Sequence, residues 1–185
     1  QQRLEEALAV VANEDIEVVC AGRTDTGVHA SGQVVHFDTS AERSDRGWLL
    51  GANTNLPPDV SVTWVRHVSD EFHARFSATG RSYRYAILNR LERSALHRHR
   101  AWWVYEPLDD KLMHEAAQRL LGQHDFSAFR AAGCQAKSAT RELTAISVER
   151  DGTWLTVSVS ANAFLMHLVR NITGTLAVVG GGEQP

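Results

Sequence analysis

Residues 142–161 read "ELTAISVERDGTWLTVSVSA", two runs of alternating apolar and polar residues on either side of Asp151-Gly152. Alternation with period two is the pattern of a strand with one buried face. An Asp-Gly pair between two such runs is the strongest short-range signal for a β-hairpin with a two-residue turn. Leu155, Val157 and Val159 then point to one side of the second strand. A hairpin makes its two strands antiparallel, which argues against a doubly wound parallel sheet.

The remaining pattern is mixed. Leu4, Ala7, Leu8 and Val11 predict a helix over residues 2–12. The runs "IEVVCA" (16–21), "QVVHFDT" (33–39), "VSVTWVRHV" (60–68), "RSYRYAILN" (81–89) and "AWWVYEP" (101–107) read as strands. A helix over 44–56 stops before Pro57 and Pro58. Asp109 or Asp110 caps another, with Met113, Ala116, Ala117, Leu120 and Leu121 on one face and Gly122 at its end. A last helix carries Leu165, Leu168, Ile172, Leu176 and Val179 on one face. Strands and helices do not alternate strictly, so the fold class is α+β with a largely antiparallel sheet. The two halves are similar in plan and join near residues 69–80.

With 185 residues, 43% apolar and 22% charged, the chain suits one domain or two small ones. No apolar run approaches the ~18–20 residues of a membrane span, and no charged-then-apolar leader suggests secretion. Cys20 and Cys134 are too few and too far apart for a disulfide framework or a zinc site, and fit a reducing cytoplasm. The first residue is Gln1, already in a helical pattern, and "GGEQP" (181–185) ends in a turn, so the chain reads as an internal piece of a longer protein.

Net charge is −3, yet residues 75–100 carry seven arginines against Glu92. That stretch is +6 within an otherwise acidic chain. Such a stripe suits phosphate, and 17 arginines against two lysines favour bidentate contacts, unless Arg is merely the preferred surface cation. No phosphate-cradling or dinucleotide glycine motif is present, and the histidines do not fall at metal-ligand spacing, so neither a cofactor nor a metal is expected.

The loop "GRTDTGVHASGQ" (22–33) follows a strand and carries Arg23, Thr24, Asp25 and His29 between glycines. Three readings compete. Asp and Gly are common turn residues. Asp-Thr-Gly in a dimer suggests paired protease carboxylates, but Arg23 beside them favours full ionisation and spoils proton sharing. A nucleophilic Asp25, kept charged in a buried site by a guanidinium, is the third. Arg23 is one candidate for that partner. Arg170 is the other, since it falls about 140° from the apolar face of the last helix at 100° per residue. Tyr83 and Tyr85 share one face of their strand, with Arg84 pointing the other way. They read as core, or as a ring on which a displaced nucleobase stacks.

"AGRTDTGVHASGQVVHF", "NTNLPPDV", "FHARFSATGRSYRY" and "ANAFLMHLVRNITG", in this order, closely resemble the bacterial tRNA pseudouridine synthase A family over nearly the whole chain. The resemblance implies a fold of two ferredoxin- or RRM-like halves whose largely antiparallel sheets meet at a central cleft. Residues 1–70 are the half with the catalytic Asp loop, its first strand missing. Residues 71–185 are the half with Tyr83 and Arg170, its C-terminal segment missing. The implied activity is isomerisation of uridine to pseudouridine in the anticodon stem-loop of tRNA, just 3′ of the anticodon. Asp25 is the implied nucleophile, Tyr83 the active-site tyrosine, Arg170 the partner of the aspartate and Arg23 the arginine of base flipping. Thr24, His29, Arg75, Phe76, Arg81 and Arg84 complete the expected substrate contacts. The resemblance implies no cofactor, no metal, a cytoplasmic homodimer and tRNA as partner. A non-catalytic RNA-binding domain of the same fold is the alternative, and a dimeric aspartic protease the distant one.

Overall fold

The computed structural model describes residues 1–183; Gln184 and Pro185, at the end of the expected terminal turn, lie outside the described residues. The chain divides into two compact units, residues 1–78 and 79–185.

The first unit begins with α1 (Gln2–Ala12), as the spacing predicts. Leu8, Ala12, Ile16, Val18, Trp48 and Ala52 form its core. Glu5 ties α1 to the segment after it: its carboxylate accepts the Val18 N–H at 3.1 Å and the Gln1 amide at 2.8 Å. These bonds hold its pKa below the usual carboxylate value. Strands β1 (Val19–Cys20) and β2 (Val35–His36) pair antiparallel, Val19 opposite His36 and Cys20 opposite Val35. Both are far shorter than the apolar runs suggest, because pairing stops where the glycine-bearing loop opens. Helix α2 (Asp45–Asn55) starts at Ser44, whose hydroxyl accepts the Gly47 N–H at 3.1 Å. It ends before Pro57-Pro58, where the residue preceding a proline is pushed out of the helical region.

The strand expected over 60–68 is absent. The Asn53 amide instead donates to the Val62 carbonyl at 2.8 Å and accepts the Val62 N–H at 2.8 Å. One side chain thus satisfies the backbone groups that a neighbouring strand would have paired. Val62 and Val65 still pack on the core, while Trp64 is exposed.

The second unit is a five-stranded sheet in the order β4-β3-β7-β6-β5. Its strands are β3 (Arg81–Asn89), β4 (Trp102–Val104), β5 (Gly122–Asp125), β6 (Thr140–Asp151) and β7 (Trp154–Ala161). Only the β3–β4 pair is parallel, so the sheet is largely antiparallel as expected. Strand β4 is shorter than the 101–107 run, and β5 and a 3-10 turn at Ser127–Phe129 carry no apolar pattern that foretells them. Every second residue of β7 is buried, Leu155, Val157, Val159 and Ala161, as the alternation requires. The hairpin turn sits one residue later than expected. Asp151 pairs with Trp154, leaving Gly152 and Thr153 as the loop. Gly152 has φ +56°, and a glycine at the first loop position meets the demand of a tight hairpin for positive φ.

Helices α3 (Asp110–Gln118) and α4 (Leu168–Gly180) share the core with the sheet's Ile87, Leu155, Val157 and Val159. Asp109 is the cap of α3, accepting the Lys111 and Leu112 N–H groups at 2.9 and 3.0 Å. Met113 and Ala117 are fully buried, while Leu120 and Leu121 fall beyond the helix and Leu121 is exposed. Along α4, Leu168, Ile172 and Leu176 face inward with Thr173, whose hydroxyl donates to the Val169 carbonyl at 2.8 Å. No helix among the described residues is long and apolar enough to cross a membrane.

Candidate nucleotide site

The loop leaving β1 and returning to β2 holds Arg23, Thr24, Asp25 and His29, all exposed. Its base is closed by Gln33, whose side-chain amide donates to the Gly22 carbonyl at 2.5 Å and accepts the Gly22 N–H at 3.4 Å. Inside the loop the Val28 N–H donates to the Asp25 carbonyl at 3.1 Å. Asp25 is therefore the first residue of a β-turn, and Gly27, with φ +84°, is its third. Positive φ at that position is the mark of a type II turn, which asks for glycine. Turn chemistry accounts for the Asp-to-Gly spacing. It does not require Arg23, nor a carboxylate held at the head of a clamped loop.

Asp25 is exposed, which corrects the expectation of a buried carboxylate. It heads a turn in the loop between β1 and β2, and no residue of that loop belongs to the unit's core.

Arg75 and Phe76 sit on a turn over residues 72–77, both exposed. The Ser77 N–H donates to the His73 carbonyl at 2.7 Å, and the His73 N–H to the Ser77 hydroxyl at 3.1 Å. This turn is docked on β2: the Ala74 N–H donates to His36 Nδ1 at 3.1 Å, and Ala74 is buried. Within the first unit the clamped loop and the Arg75-Phe76 turn thus hang from the same strand. His36, His73 and Gln33 do this work, and sequence reasoning did not single them out for it. His36 offered one signal, a histidine inside an otherwise apolar strand.

In the second unit Tyr83 lies opposite Val159, on the same sheet face as Tyr85, opposite Val157, and Ile87, opposite Leu155. That is the face whose residues join the helices in the core. Tyr83 is half-buried at its end, and its ring meets Phe164 edge-on with centroids 4.9 Å apart. Phe164 lies in the segment joining β7 to α4. Asn162 orders the start of that segment, its carbonyl oxygen Oδ1 accepting the Ala163 N–H at 2.7 Å and the Glu142 N–H at 3.3 Å. Phe164 is therefore a ring partner for Tyr83 that spacing alone did not reveal. Arg170 is exposed in the first turn of α4, directed away from the core as its helical angle predicts. Arg81 donates to the Asn162 carbonyl at 3.5 Å. Arg84 is exposed on the sheet face opposite Tyr83, so these two neighbours address different sides of the sheet. Among the described residues no group of three or more His, Cys, Asp or Glu is placed to hold a metal ion.

A family model described as tRNA pseudouridine synthase matches residues 116–185. The tRNA pseudouridine synthase A of Pseudoalteromonas atlantica is 59% identical over 185 residues, covering 100% of this chain and 70% of that protein. The enzyme of the same name from Xanthomonas euvesicatoria is 56% identical over 185 residues, with 72% of its length covered. That of Escherichia fergusonii is 54% identical over 185 residues, with 68% covered.

Proposed function

The chain belongs to the tRNA pseudouridine synthase A family, and from that premise we propose that it converts uridine to pseudouridine in the anticodon stem-loop of tRNA, with Asp25 as nucleophile. As an enzyme of this family it is an isomerase acting on tRNA. The observation that carries the finer reading is the 22–33 loop. Its base is clamped by Gln33, its turn is set by Gly27, and Arg23 and Asp25 are exposed on it. A reaction that starts with carboxylate attack needs an accessible aspartate on a loop of fixed shape.

The reaction breaks the bond between uracil N1 and ribose C1′, turns the base, and joins C5 to C1′. The proton lost from C5 balances the one gained by N1, so no atoms are exchanged with a co-reactant. The residues have to supply a nucleophile, a cover for the detached ring and a counter-charge. Asp25 is the nucleophile, at C1′ or at C6, or the group that assists elimination to a glycal. An exposed carboxylate is well solvated and a poor nucleophile, so the arriving nucleotide itself has to strip its water. Tyr83, backed edge-on by Phe164, covers the uracil and passes on the C5 proton. Arg170 is the guanidinium that keeps the desolvated aspartate charged. Arg23, Thr24 and His29 meet the displaced nucleotide, and Arg75, Phe76, Arg81 and Arg84 the flanking RNA. The same reading takes residues 1–70 and 71–185 as two ferredoxin-like halves facing a central cleft, and the working form as a cytoplasmic homodimer on one tRNA. The resemblance supports these points.

The test is incubation of unmodified tRNA with the chain, followed by carbodiimide treatment and reverse transcription. Stops at anticodon-arm uridines are expected with the parent chain and none with Asp25→Asn. Full conversion by Asp25→Asn would remove the nucleophile from the proposal.

A further inference from the structure

Three rings of the first unit form a short ladder. His36 and His73 lie 4.8 Å apart between centroids, and Phe76 is stacked on His73 at 4.2 Å with planes 25° apart. Phe76 is nonetheless 78% exposed, so the side of the ring away from His73 is reached from solvent, beside the Arg75 guanidinium. Both histidines are fixed by the backbone they support. His36 Nδ1 accepts the Ala74 N–H at 3.1 Å, and His73 Nδ1 accepts the Phe76 N–H at 3.2 Å. The Arg75 guanidinium carbon is 6.0 Å from the Phe76 ring centroid. A large apolar ring in solvent is ordinarily mobile and costs apolar exposure. Here one face is backed by the His73 ring and a guanidinium lies over the ring, at a distance that a base could fill once Arg75 turns to its phosphate.

We propose that Phe76 is a stacking shelf for one unpaired nucleobase of the bound tRNA, that Arg75 takes the adjoining phosphate, and that His36 and His73 are positioning residues that hold the shelf. This rests on the reading that the chain binds tRNA and deepens it. Every base has a π-face, and stacking on an aromatic side chain contributes about 1–3 kcal/mol per base. The shelf therefore adds affinity without reading sequence, while Arg75 adds a salt-dependent contact. An unpaired base is required, because a paired one has both faces covered within the helix. The anticodon loop supplies such bases.

The test is equilibrium binding of unmodified tRNA to the 185-residue chain across salt concentrations, which does not depend on turnover. Phe76→Leu is expected to weaken binding about tenfold, in line with one lost stack, with the slope of log affinity against log salt unchanged. Phe76→Trp restores affinity, since indole offers a larger face. Arg75→Gln is expected to reduce the slope by about one contact. His73→Ala, which leaves Phe76 in place, reproduces the loss seen in Phe76→Leu. Affinity of Phe76→Leu within twofold of the parent chain overturns the shelf, and an unaffected His73→Ala overturns the role of the histidines. If the parent chain binds tRNA but forms no pseudouridine, the catalytic reading fails while the shelf is still tested.

Discussion

At the scale of single residues, two side chains carry opposite demands. In the proposed reaction Asp25 has to be reactive, and Arg170 has to keep it so once water is displaced. Replacing Asp25 by Asn removes the charge but no phosphate contact. Turnover is therefore expected to vanish while tRNA affinity stays within about threefold. A filter-binding titration beside the carbodiimide assay separates the two, and parallel loss of both would mean that Asp25 serves binding. For Arg170→Ala the expectation concerns pH. Without the guanidinium the desolvated carboxylate takes up a proton more readily, so the acidic limb of the rate profile moves to higher pH. A limb that stays in place in single-turnover measurements would show that Arg170 is not the counter-charge. The residues that the sequence offered as candidates are those in dense polar motifs: Asp25, Arg23, Tyr83, Arg170. His36 and Phe164 were not, since each acts through a contact with residues distant in sequence, and Gln33 and His73 lie inside the motifs but nothing local announces the hydrogen bonds they make.

At the scale of elements, packing of α4 on the sheet determines where Arg170 and Phe164 stand. Ile172 is completely buried in that contact. Ile172→Ala is expected to destabilise the protein by about 2–5 kcal/mol, through lost transfer energy and the cavity left behind. Chemical denaturation followed by tryptophan fluorescence measures it. Helix α3 is pinned differently. Arg150 on β6 reaches Asp110 at 2.7 Å, and also the Leu108 carbonyl at 2.6 Å and Asn89 Oδ1 at 3.1 Å. The Arg150 hydrogen bond is the main cause that holds the Asp110 pKa below its usual value. A carboxylate with a depressed folded-state pKa contributes stability that is complete above its unfolded value, about 3.9, and fades as pH falls through the folded value. Asp110→Asn is thus expected to lower stability at neutral pH and to flatten its decline below pH ~4. Denaturation midpoints at neutral and acidic pH give the comparison, and an equal drop in both proteins would exclude this pair. Element types were largely legible where length and period were strong, as in α1, α2, α4 and the hairpin. The 60–68 segment shows the limit. Its alternating valines are real, but whether an extended segment joins a sheet depends on a partner, and Asn53 takes that place.

At the scale of the whole molecule, the formal charge of −3 and the +6 of residues 75–100 act at different ranges. Net charge repels a polyanion weakly, and salt screens that repulsion beyond about 8–10 Å. Arginines that contact phosphates release counterions, and this term is a large share of affinity for a polyanion. Binding of tRNA is therefore expected to weaken steeply from 50 to 200 mM salt despite the acidic composition, with a log–log slope of several units. A flat salt response in the same titration would rule out the stripe as the phosphate-facing surface. Net charge alone argues weakly against a nucleic-acid partner, and it is the family relationship that makes tRNA the substrate.

The amino-acid sequence by itself determined the elements whose information is local. These are the period of a strand or helix, a cap such as Ser44 or Asp109, a glycine where the backbone turns, and the motifs that place the chain in its family. The tertiary structure alone decided which extended segments found partners, that the Asp25 loop is clamped by Gln33 and is exposed, that Tyr83 and Arg84 address opposite faces of one sheet, and that His73 stacks on Phe76 and meets His36. Local pattern reports what each residue prefers. Contacts between distant residues are settled by which of several compatible partners reaches the hydrogen bond or the ring face, and no single stretch of chain contains that answer.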